Sequence, residues 1–163
     1  MKKTIAILTA GFIALSASIA MAATMSALTS SESQLAKAAE TPYPITMVSE
    51  PSESYKVEGS KVIILRAGDY YLNMAAQVGG TTTGEIYLWM RVNGKDVADS
   101  NSIQTIPVKG FTAVLVSQSG MSLKKGDVVE FVYAASVPGL GVIAVTPKGM
   151  PAVPSVIFSV LEM

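Results

Sequence analysis

The stretch EIYLWMRVNG, at residues 85–94, decides the fold. Apolar side chains occupy every second position, and Tyr87, Trp89 and Arg91 occupy the positions between them. A period of two is typical of a β-strand with one face on a core. The closing Asn-Gly pair is the usual two-residue hairpin turn, so we predict that residues 95–98 form the returning strand.

The same period recurs along the chain after about residue 42. We count eight to ten short strands separated by Gly and Pro residues, and we see no helical period among them. Without crossover helices a parallel α/β fold is excluded, and the pattern predicts an all-β sandwich or barrel. The other predicted strands are residues 61–66, 69–76, 102–108, 111–118, 128–135, 141–146 and 153–161.

The first 22 residues have the pattern of a secretory signal peptide in a bacterial style. Lys2 and Lys3 precede an uncharged apolar run, and Ala20 and Ala22 are small residues at the positions that signal peptidase reads. The run is short for a transmembrane anchor and contains hydroxyl side chains. We therefore predict cleavage after Ala22, a periplasmic or extracellular location, and no membrane insertion of the mature chain.

Residues 23–44 differ in composition from the rest and are predicted to be a leader or linker before a domain at 45–163. The tetrad Ser31–Gln34 has the spacing of a capping box, which predicts a short helix over about 32–39. Such a helix is too short to be stable alone. We expect a flexible leader or a helical stalk.

The chain contains no His and no Cys. Imidazole bases, thiol nucleophiles and the usual zinc ligand sets are therefore excluded, and the carboxylates are scattered near turns. We predict that the protein is not an enzyme and needs no cofactor. Asp96 and Asp99 are close enough to suggest calcium, but a polar hairpin end is the favoured interpretation. The mature chain has ten basic and twelve acidic residues, and this net charge of −2 argues against nucleic acid as a partner.

Four phrases follow one another along the chain: Ala67–Leu72, Leu88–Gly94, Leu123–Val129 and Ser155–Leu161. In this order they resemble the jelly-roll superfamily of tumour necrosis factor (TNF) and the globular head of the first complement component, including its bacterial relatives. The resemblance covers residues 45–163 and implies a ten-stranded jelly-roll sandwich that assembles as a homotrimer, with its inner sheet facing the three-fold axis. No collagen-like tract precedes the head.

The predicted strand 128–135 is apolar on both faces except at Glu130. A strand of that kind needs cover on its second face. We predict a subunit interface that includes Val129, Phe131 and Tyr133. The alternative is cover by the chain's own loops or leader.

Tyr87, Trp89 and Arg91 share one face of their strand and are the predicted ligand-binding residues. Aromatic side chains on a flat sheet suit sugar stacking or a protein contact, provided that Trp89 points outward. The opposite orientation, with Trp89 inside, fits the residue types equally well.

Three functions follow. The first is an exported, non-catalytic structural or adhesive head domain, a homotrimer that binds a surface protein or a glycan. The second is a monomeric carbohydrate-binding β-sandwich. The third is a subunit of an extracellular surface filament, in which residues 23–42 are donated to a neighbour.

Overall fold

The structure is a computed structural model that describes residues 24–50 and 52–163, and the predicted signal peptide lies outside these residues. Within this part of the chain every regular element is a β-strand, and no helix is long and apolar enough to cross a bilayer. The strands are β1 Thr24–Ser30, β2 Gln34–Leu35, β3 Tyr43–Pro44, β4 Val48–Ser49, β5 Tyr55–Glu58, β6 Lys61–Ile64, β7 Gly68–Gly80, β8 Gly84–Val92, β9 Lys95–Asp96, β10 Ser102–Ile106, β11 Thr112–Leu123, β12 Val128–Ala135, β13 Leu140–Val142 and β14 Val156–Glu162.

Two antiparallel sheets divide these strands. In the first sheet the order is β2-β13-β7-β14-β1-β4, and β11 pairs with the other edge of the long strand β7. In the second sheet the order is β10-β8-β12-β6-β5, with β9 beside β8 and β3 beside β12. Apart from the hairpins β5-β6 and β8-β9, paired strands are not consecutive in the sequence, as in a jelly roll. The all-β prediction is confirmed.

Alternation within each strand builds the core between the sheets. In β7 the side chains of Tyr70, Leu72 and Met74 are buried. The rings of Phe131 from the second sheet and Phe158 from the first meet with their centroids 4.3 Å apart. Each such fully buried large side chain contributes about 1.5–3 kcal/mol to folding.

The helix predicted over residues 32–39 is absent. Gln34 does not cap a helix: its side-chain amide accepts from the Thr46 N–H at 2.9 Å and donates to the Thr46 carbonyl at 3.0 Å. Its backbone lies in β2, which pairs with β13. The edge of the first sheet supplies hydrogen-bond partners for this backbone, whereas an eight-residue helix is too short to be stable alone. The strand is therefore favoured.

The first strand also lies within the predicted leader. β1 pairs with β14 over seven consecutive residues, from Thr24 opposite Glu162 to Ser30 opposite Val156. Leu28 is fully buried among core residues of both sheets. These residues of the leader are therefore part of the sandwich in this structure.

The hairpin predicted after β8 is present. Asn93 and Gly94 both have positive φ, 51° and 75°, which is the requirement of a type I′ turn. Asn93 also accepts a hydrogen bond from the Val128 N–H at 2.9 Å. The returning strand β9 has only two residues, which is shorter than the predicted 95–98.

Candidate functional site

The strand β8 presents the predicted binding residues to solvent. Ile86, Leu88 and Met90 are fully buried, so the side chains between them lie on the outer face of the second sheet. Tyr87 is 37% exposed, and Trp89 is half-buried. The structure thus has the outward orientation of Trp89, and the opposite orientation is excluded.

One carboxylate holds Trp89 and Arg91 together. Oδ1 of Asp96, in β9, accepts a hydrogen bond from Trp89 Nε1 at 2.7 Å and another from Arg91 Nε at 2.5 Å. The Arg91 guanidinium carbon lies 5.5 Å from the centroid of the Trp89 ring, within the range of a cation–π contact. The hydrogen bond from Arg91 lowers the pKa of Asp96 most, and the bond from Trp89 lowers it further.

A second carboxylate binds Tyr87. The Tyr87 hydroxyl donates to Glu85 Oε2 at 2.6 Å. This bond raises the pKa of Tyr87, because losing the phenolic proton would leave two negative charges in contact. Both aromatic side chains of the outer face are therefore oriented by an acidic neighbour.

The aromatic residues line a depression of about 410 Å³, which we call the aromatic cleft. Its walls come from the second sheet and from two segments that pack beside it. Two smaller depressions, of about 260 and 240 Å³, lie near the end of β1 and lack aromatic side chains. The aromatic cleft is lined by Glu40, Tyr87, Trp89, Asp96, Asn101 and Ala134.

Glu40 was not among the predicted site residues, and the fold brings it to the cleft. The segment between β2 and β3 crosses the end of β12, where the Glu40 N–H donates to the Ala135 carbonyl at 2.7 Å. Its proximity to Tyr87 is evident in its electrostatic contribution to the raised pKa of that tyrosine. Glu40 and Tyr87, which both line the cleft, are 47 positions apart in the sequence, so no local sequence pattern indicates that they lie near each other.

The predicted interface residues Val129, Phe131 and Tyr133 lie in the chain's own core. Their side chains are at most 2% exposed, and burial raises the pKa of Tyr133 to about 12. Side chains so enclosed have no surface for another subunit to contact, so they cannot form the predicted interface. Val132, on the other face of β12, lies between its cross-strand neighbours Pro44 and Trp89.

The described acidic side chains around the cleft do not form a metal site. Among the described residues, no three acidic side chains converge in a way that could hold a metal ion. Asp96, one of the two aspartates considered for calcium, binds Trp89 and Arg91 instead. The cleft offers aromatic rings, carboxylates and an amide, which are groups for binding.

Comparison with known proteins identifies the fold. No protein-family model and no curated protein sequence matches the chain. Crystal structures of murine APRIL, a TNF-family ligand, match with TM-scores of 0.60 at pH 5.0, 0.59 at pH 8.5 and 0.57 at pH 8.0. Identity is 12–13%, and the matches cover 86% of this chain and 100% of the APRIL chains. The fold is therefore a TNF-like jelly roll, as the sequence phrases predicted.

Proposed function

We propose that the chain is an exported, non-catalytic head domain that assembles as a homotrimer through its first sheet and binds its ligand on its second. The observation that carries this proposal is the scarcity of charge on the solvent-facing side of the first sheet, where Asp69 at the start of β7 is a charged side chain at the end of the sheet. We call the remaining part of this side, which has no charged residue, the uncharged face. It comprises Ala27, Thr29, Tyr71, Asn73, Ala75, Gln77, Val114, Val116, Gln118, Ile157, Ser159 and Leu161.

The middle of the uncharged face is apolar. Val116, Ala75 and Ile157 lie side by side on the adjacent strands β11, β7 and β14. Val116 is 43% exposed, Ile157 47% and Val114 61%. Monomeric proteins rarely leave large contiguous apolar patches in water, and such patches commonly mark protein contacts.

The outer face of the second sheet has the opposite character. It carries the charged side chains Glu85, Arg91 and Lys61, and Asp96 adjoins it on β9. Charged residues are depleted at the centres of protein interfaces. The outer face of the first sheet is therefore the better candidate for burial between subunits. The aromatic cleft, on the second sheet, would then remain accessible.

The number of subunits and the export of the chain rest on separate observations. The TNF-like fold supports a closed three-fold arrangement, in which each subunit uses the same surfaces. The pattern of residues 1–22 supports export. The lack of His and Cys supports a non-catalytic role.

The molar mass of the mature protein, residues 23–163, tests the assembly. Light scattering after gel filtration should give the mass of three chains, unchanged on tenfold dilution. A mass of one chain would overturn the assembly and leave the ligand-binding role to be tested separately.

A second candidate function is carbohydrate binding, which requires no assembly. The aromatic cleft favours it, because Tyr87 and Trp89 can stack on the apolar face of a sugar ring while Asp96 and Asn101 bond to its hydroxyls. Trp89 is the only tryptophan, so its fluorescence should change when a sugar binds. A broad panel of oligosaccharides that leaves the emission unchanged would exclude this function.

A further inference from the structure

The aromatic cleft contains more negative charge than the basic residue beside it can neutralise. Glu40 and Asp96 line the cleft, and Glu85 binds the hydroxyl of Tyr87. Arg91 is the basic side chain in contact with this group. Three carboxylates against one guanidinium leave the site negative.

The carboxylates of the aromatic cleft differ in how far neighbouring side chains compensate their negative charge. Arg91 bonds to Asp96, and both are fixed by Trp89, so the charge of Asp96 is compensated within the protein. Among residues 24–50 and 52–163, Glu40 forms neither a salt bridge nor a side-chain hydrogen bond. The Glu40 carboxylate is therefore the group in the cleft to which a positive charge on a ligand would be attracted.

The backbone at Glu40 is unusual for a residue of its type. Its φ is 52°, in the left-handed region where Gly and Asn are the common residues. The bond from its N–H to the Ala135 carbonyl holds it there. A glycine would satisfy the same backbone geometry with less strain, so the geometry alone does not explain a carboxylate at this position.

We infer that the aromatic cleft selects an amino sugar whose amine is free and protonated. This inference rests on the carbohydrate-binding function proposed above. The sugar ring would stack on Tyr87 and Trp89, and its ammonium group would lie against Glu40. An N-acetylated sugar would keep the stacking and lose the ion pair. A simple polyamine would keep the charge and lose the stacking.

The test is a fluorescence titration of the mature protein at mildly acidic pH, where the amines are protonated. The ligands are a β-1,4-linked glucosamine oligosaccharide, its N-acetylated counterpart, a neutral glucan of equal length, and spermidine. We expect the glucosamine oligosaccharide to bind at least about tenfold more tightly than the other three, which corresponds to about 1.4 kcal/mol. High salt should reduce this preference, because ion pairs at an exposed site are screened.

Two variants separate the charge from the stacking. Glu40→Gln should remove the preference for the amino sugar and leave weak binding of all three saccharides. Trp89→Phe, whose binding is measured by calorimetry, should weaken the binding of all three. Glu50→Gln, an exposed glutamate after β4 of the first sheet, is the matched control and should change nothing. Equal affinity for the amino and N-acetylated oligosaccharides, or equal affinity for spermidine, would overturn the inference while carbohydrate binding stands. No response to any saccharide would exclude carbohydrate binding itself.

Discussion

Trp89 Nε1 lies 2.7 Å from Asp96 Oδ1, so the single tryptophan of the chain is bonded to a carboxylate that titrates. Arg91 lowers the pKa of that carboxyl, and Trp89 adds to the effect. A depressed pKa in the folded state means that the contact stabilises the fold above the unfolded-state pKa of aspartate. That stability is lost as the pH falls through the lower folded-state value.

The emission of Trp89 should therefore titrate in acid, with a midpoint below the ordinary aspartate pKa of about 3.9. We expect Asp96→Asn to remove this transition at pH values where far-ultraviolet circular dichroism shows an intact fold. The same transition in Asp96→Asn, or a midpoint at the ordinary value, would contradict the bond.

A lysine in the uncharged face should prevent assembly. Ile157→Lys places a charge beside Ala75 in the middle of that face, where burial in an interface would require its desolvation. Ile103→Lys is a matched control, because Ile103 is 53% exposed on the second sheet and Ile157 is 47% exposed on the first. We expect light scattering to give one chain for Ile157→Lys and three for Ile103→Lys. Dissociation by Ile103→Lys alone would place the interface on the second sheet.

The local features of the fold could be predicted because they depend on adjacent residues. The alternation in residues 85–92 predicted the strand β8 but left open which of its sides faces the core, and the Asn93-Gly94 pair predicted the turn. The outward orientation of Trp89 is evident only in the structure, where Ile86, Leu88 and Met90 are fully buried. The phrases around these strands were sufficient to indicate the TNF-like fold.

Features that depend on tertiary packing could not be predicted. Val132 is an apolar residue on the outer face of β12, and the sequence left open whether another subunit or the leader covers it. The structure places the leader residue Pro44 beside it, through the two-residue pairing of β3 with β12. The same packing carries Glu40 to the aromatic cleft. The helix predicted from the capping box at 31–34 was wrong, because the Gln34 side chain bonds to Thr46, twelve residues away.

The first strand should contribute substantially to stability. Leu28 is fully buried in the core, so Leu28→Ala should lower the free energy of unfolding by about 2–5 kcal/mol. Thr105→Ser changes an exposed residue of β10 in the second sheet, away from the uncharged face, and should have little effect. Urea denaturation with an unchanged m-value measures both. A loss below about 1 kcal/mol for Leu28→Ala would mean that β1 leaves the sandwich in solution.

The close approach of β2 to β13 requires the absence of a side chain at Gly141. A Cβ there would lie 2.2 Å from the Gln34 carbonyl oxygen and 2.9 Å from the Tyr133 ring. Since backbone cannot move aside as a flexible side chain can, Gly141→Ala should destabilise the fold by about 1–3 kcal/mol or more, as overpacking does.

Gly120→Ala is the matched control for this substitution. Gly120 also lies in a strand and lacks a positive φ, and the nearest atom to its added Cβ is 4.0 Å away. Its replacement should be neutral or slightly stabilising, because alanine reduces the entropy of the unfolded chain. Urea denaturation should therefore separate the two variants clearly. Equal stability of both would show that β2 does not pack against β13 in solution, and residues 34–40 would then no longer hold Glu40 at the aromatic cleft.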